Sequence, residues 1–134
     1  MNSRPVAIEI GRGGHSPTVR TGLSADEVAG IIRGLEGEPD VTVIVSWGKV
    51  NEYVLLGISG ANVVVRMVRP LDELYEYVAH GNDDRQGTTL FMTSGEPTNI
   101  ESRSVVDVET AAAVVHEWLR SGGEKSSLGR WERA

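Results

Sequence analysis

Few residues in this chain have the type and spacing to do chemistry, and their placement points away from catalysis. His15 lies in Gly11-Arg12-Gly13-Gly14-His15-Ser16, a glycine-rich stretch of the kind that cradles anions. It matches neither the dinucleotide fingerprint nor the phosphate loop, and no helix is expected to start directly after it, so it reads as a loop. His80 precedes Gly81-Asn82-Asp83-Asp84. Adjacent aspartates point in different directions and no second histidine is near, so this is a turn and not a zinc site. The spacing also misses the alternate-position ligands of a calcium loop. His116 falls at the polar edge of a helix with no partner at zinc spacing, the position of a rim histidine. There is no cysteine and no Gly-x-Ser-x-Gly elbow. Of the acids, Glu101 on a short strand is the one to watch as a general acid or base. No catalytic residue, cofactor site or metal site is expected.

The charges carry more information. The net charge is −6. Residues 1–69 hold seven basic and seven acidic groups, so the whole excess falls in residues 70–134, which hold six basic and twelve acidic groups. Asp72, Glu73, Glu76, Asp83 and Asp84 follow one another with no Lys or Arg among the residues from 72 to 84. Such a surface repels nucleic-acid phosphates and attracts a basic protein, speeding encounter. These five acids are the candidate partner-binding residues. Trp47, at a strand end beside a turn, joins them as a candidate exposed anchor. A solubilising acidic face is the plain alternative.

The elements that would position these residues are legible from periodicity. Pro5–Ile10 alternates as a strand, and a loop follows through Gly11, Gly13, Gly14 and Pro17. Ser24 and Glu27 form a capping box, and Ala25, Val28, Ile31, Ile32 and Leu35 give the helix behind it one apolar face. Gly37 and Pro39 stop it. The runs 41–47, 53–59 and 62–68, joined by turns at 48–51 and 60–61, make an antiparallel meander, because such short connections cannot carry a parallel crossover. Pro70 ends it. Residues 71–79 are ambiguous between helix and strand, and 80–87 is polar turn. Thr88–Thr93 and Thr98–Glu101 form strands around a Gly95-Glu96-Pro97 turn. Asp107 caps the strongest element, a helix with Val108, Ala111, Ala112, Val115, Trp118 and Leu119 on one face, stopped by Gly122-Gly123. Trp118 is a core residue in this reading. Trp131, so near the end, ties down the tail as a final strand.

One domain is expected, since 134 residues at 40% hydrophobic content suffice for one core. The N-terminal stretch, residues 1–14, is neither signal peptide nor membrane span. With no cysteine, the expected compartment is the cytoplasm.

The second half resembles a known family. Gly87-Thr88-Thr89-Leu90-Phe91-Met92 is followed by a short strand and Ser104-Val105-Val106-Asp107. Then come the Ala-rich helix with Glu117-Trp118-Leu119, the Ser121-Gly122-Gly123 stop, and Trp131-Glu132. This order is similar to the Imm-one family of immunity proteins from bacterial polymorphic toxin systems. Asp107 stands where that family usually has Pro, Trp118 where it usually has Phe, and the tail lacks the expected Pro. The resemblance covers residues 85–134 and implies that 73–79 is a strand. It further implies an antidote that neutralises a co-produced toxin, a class that includes deaminases and nucleases. It brings no catalytic residues.

The expected fold is α+β, a mostly antiparallel sheet with two main helices packed on one face. The expected function is an immunity protein that binds and blocks a basic toxin domain, with no direct nucleic-acid or membrane contact. Its rivals are a small-ligand or regulatory binding domain, and an enzyme whose acid and base meet only in three dimensions.

Overall fold

The computed structural model describes residues 6–13, 15–47, 52–93, 95–121 and 128–134. Pro5, the turn expected over 48–51 and the Gly122-Gly123 stop lie outside the described residues.

Strand β1 (Val6–Arg12) leads to β2 (Thr18–Leu23), then helix α1 (Ala25–Arg33). The capping box forms as expected: Glu27 N donates to Ser24 Oγ at 3.1 Å, and Ser24 N donates to Glu27 Oε1 at 3.0 Å. The meander follows as β3 (Val41–Ser46), β4 (Tyr53–Ser59) and β5 (Asn62–Arg69). A short turn at Pro70–Asp72 then opens β6 (Glu73–Ala79), the segment whose periodicity was ambiguous. Strands β7 (Thr88–Thr93) and β8 (Glu96–Glu101) form a hairpin, and the two-residue β9 (Val105–Val106) precedes α2 (Val108–Ser121). Strand β10 (Gly129–Arg133) closes the chain, the final strand expected from Trp131.

The strands order as β10-β6-β5-β4-β3-β1-β2, with β9 also paired to β5. All pairings among the described residues are antiparallel. Three boundaries differ from expectation. Strand β1 runs on through Gly11 and Arg12, expected as loop, because they pair with Thr42 and Val41 of β3. Residues 18–23 form the edge strand β2, where no element was foreseen. They are exposed except for half-buried Leu23, so no apolar alternation marks them, and backbone pairing to β1 defines the strand. Strand β8 begins at Glu96 and includes Pro97, where the sequence predicts a turn. It pairs only with β7, and proline is tolerated on such an unpaired edge.

The period of two sorts side chains between layers. Ile8, Ile10, Val41, Val43, Val45, Val54, Leu56 and Ile58 face the helices and form the main core with Val28, Ile32, Ala111, Val115 and Trp118. The helices run antiparallel across this face. Asp26 of α1 meets His116 of α2 at 2.6 Å, and Arg33 meets Glu109 at 3.0 Å. On the opposite face the β7–β8 hairpin covers only part of the sheet, closing a small core of Val64, Phe91, Ile100 and Val105. Gly95 N donates to Asp40 Oδ2 at 2.7 Å, and Met92 N donates to Ser59 Oγ at 3.3 Å, which pins the hairpin over β4 and the start of β3. No helix among the described residues is long and apolar enough to cross a membrane.

Candidate partner interface

The acidic stretch does not form one bare patch. Glu73 and Glu76 stand at odd and even positions of β6 and so point to opposite faces of the sheet. Glu73 shares the parity of Tyr75 and Tyr77, which face the helices, whereas Glu76 faces the other way. Arginines engage three of the acids. Arg66 reaches Glu76 at 3.0 Å, Arg133 reaches Glu73 at 3.3 Å, and Arg130 binds Asp83. Asp84 is exposed, and the side chain of Asp72 lies outside what is described. These arginines lie between 10 and 60 residues away, so their pairing follows from strand order and not from any local pattern.

A second network adjoins Glu76. Arg103 donates two hydrogen bonds to Glu132, at 2.7 and 3.0 Å, and Arg130 adds one at 2.7 Å. The Arg103 bond, with Arg130 second, holds the Glu132 carboxyl below its usual range. Hydrogen bonding from Arg130 does the same for Asp83. A recess of about 330 Å³ lies here between Arg66, Glu76, Arg103 and Glu132, its charges already matched among themselves.

Trp47 is not an exposed anchor. It is 6% exposed and its ring stacks on Trp118 at 4.2 Å with 7° between planes. The reason is parity: Val41, Val43 and Val45 face the helices, and Trp47 continues the same register. Trp118 is fully buried, as its stripe position implied. Trp131 is half-buried, edge-on to Tyr77 at 5.1 Å. His15 and His80 are exposed, and His116 bridges to Asp26. No group of three or more His, Asp or Glu among the described residues is placed to hold a metal ion. Glu101 is exposed at the end of β8, beside Arg103.

Two features escaped sequence reasoning. The first is the part of the second face that the hairpin leaves open. One cross-strand row runs Val19, Glu9, Ile44, Leu55, Arg66, Glu76. The next runs Ala7, Ser46, Tyr53, Val68, Leu74. Ile44, Leu55, Tyr53, Val68 and Leu74 are all partly buried, and Val19 is 58% exposed. Among the described residues no hydrogen bond or ion pair engages the Glu9 carboxylate. The alternating pattern of β1, β3 and β4 was the available signal, since it fixes which residues share this face.

The second feature is Leu71, at the tip of the β5–β6 connection. It is 94% exposed and has φ +69, ψ 26, the left-handed region. That conformation crowds its Cβ against the backbone and costs roughly 1–2 kcal/mol. Pro70 before it was legible as a strand stop, but nothing in the local sequence announces a strained leucine.

No curated protein matches the chain. The family described as Immunity protein Imm1 matches residues 17–133, a span that takes in both helices and every strand except β1. The chain belongs to the Imm1 family of immunity proteins.

Proposed function

We propose that this chain, acting as one domain, binds a toxin made by the same bacterium and blocks its active site, catalysing nothing itself. The observation that carries the reading is the family match from β2 through β10. The acidic excess of residues 70–134 supports the finer reading that the toxin acts on nucleic acid, as a deaminase or nuclease does. Such an enzyme needs a cationic groove for phosphates, and an acidic protein is drawn to that groove.

Glu73, Glu76 and Asp83 sit in arginine pairs, so in this reading the long-range attraction comes from the net −6 of the whole chain more than from these acids as a bare patch. In this reading the protein works in the cytoplasm, where the toxin would otherwise strike its producer. Titrating a purified candidate toxin domain, sought in the genes flanking this chain's own, tests the proposal. Toxin activity should fall linearly to zero at one equivalent of inhibitor. Undiminished activity at several-fold excess would refute it.

A further inference from the structure

We propose that the uncovered part of the sheet's second face is the surface that seats the toxin, with Leu71 as its protruding anchor and Glu9 as its charged contact. The inference rests on the immunity reading above and deepens it by naming the contact surface.

Four observations converge. Soluble proteins rarely leave a contiguous apolar patch exposed without a use for it, and here Tyr53, Val68 and Leu74 form a row that is only partly buried, beside the partly buried Ile44 and Leu55. The helices bury the centre of the other face, while the hairpin packs on Val64 and borders Leu55 and Arg66, so the Tyr53–Val68–Leu74 row is the part farther from it. Leu71 stands one turn beyond the Val68–Leu74 pair, almost wholly exposed and in a backbone conformation that leucine disfavours. Strain kept at an exposed apolar residue, with no burial in this chain to offset it, marks a site held ready for a partner. An exposed aliphatic tip of this kind fits a desolvated pocket on the other protein.

Charge selects the occupant. Within the uncovered rows the Arg66 cation is matched by Glu76 at 3.0 Å, whereas Glu9 is exposed and carries its charge between Val19 and Ile44. The face is therefore apolar with an unbalanced carboxylate. It complements a protein surface with an apolar pocket and a Lys or Arg whose aliphatic stem lies along Ile44 and whose head reaches Glu9. A second copy of this chain would set Glu9 against an equally acidic partner.

Leu71 allows a test that separates binding from folding. Asn and Gly accept the left-handed region, so Leu71→Asn removes the anchor while relieving strain. Binding of the toxin domain that the titration above identifies is measured by calorimetry for wild type, Leu71→Asn, Glu9→Lys and the helix-side control Glu109→Lys. Thermal melts run in parallel. The expected result is a Kd raised about tenfold or more by Leu71→Asn and by Glu9→Lys, no lower melting temperature for Leu71→Asn, and a control within about twofold. Binding that Leu71→Asn and Glu9→Lys leave unchanged, or that Glu109→Lys alone weakens, overturns the surface while leaving the immunity reading intact. A wild-type chain that does not bind the toxin domain overturns the reading itself, and the surface with it.

Discussion

Replacing Trp47 with alanine should remove a large part of the stability of this protein. The side chain is 6% exposed and lies flat on Trp118, with centroids 4.2 Å apart. A buried tryptophan removes about 200 Å² from water. At about 25 cal/mol per Å² that is worth about 5 kcal/mol, an upper figure because the unfolded chain already hides some of this area. With the Cβ retained and the cavity only partly collapsing, the expected loss is about 3–5 kcal/mol, against a typical total of about 5–15 kcal/mol. Urea denaturation followed by far-UV circular dichroism, without any partner, measures it. A cycle of Trp47→Leu, Trp118→Leu and the double variant should add a coupling of about 0.5–1.5 kcal/mol for the stacked rings. A loss below about 0.5 kcal/mol for Trp47→Ala, the range of surface substitutions, would place Trp47 outside the core and return it to the role of exposed anchor.

Other outcomes follow from the same structure. Asp107 Oδ1 accepts from Thr110 N at 2.7 Å and caps α2, so Asp107→Ala should cost about 1 kcal/mol by denaturation, while Asp107→Asn, which still caps, should cost less. The hydrogen bonds from Thr110 hold the Asp107 carboxyl below its usual value of 3.8. The folded state thus favours the anion, and this contribution is present above pH 3.8 and lost as pH falls through the lowered value. Melting temperatures of wild type and Asp107→Asn measured from neutral to acid should therefore converge below that pH; parallel curves would count against the cap. A Cβ on Gly129 would collide with the Val78 carbonyl, so Gly129→Ala should detach β10 from β6. The readouts are faster proteolysis of the tail and a red shift in Trp131 emission, and an unchanged spectrum would contradict the pairing.

What could be read from the sequence was whatever chemistry is local. The Ser24–Glu27 box, the stripe of α2 and the short-turn meander each depend on residues a few positions apart, and all three are present. The edge strand β2 was not legible because it buries almost nothing: Thr18 to Gly22 carry no apolar period to notice. Trp47 sits beside a turn, which suggests an exposed anchor, but its register with Val41, Val43 and Val45 sends it inward. The acidic stretch looked unopposed because its arginines, Arg66, Arg130 and Arg133, arrive through pairing of β5, β6 and β10. Leu71 was invisible because backbone strain at one residue leaves no trace in composition or period.

Rescue of growth is the measurement closest to the assignment. Cells expressing a candidate partner toxin, sought in the genes flanking this chain's own, are compared with and without the chain co-expressed. Survival that depends on this chain, and that Leu71→Asn weakens without lowering its abundance, is the expected result. Death of the cells despite abundant, folded wild-type chain would contradict its action as an immunity protein against that toxin.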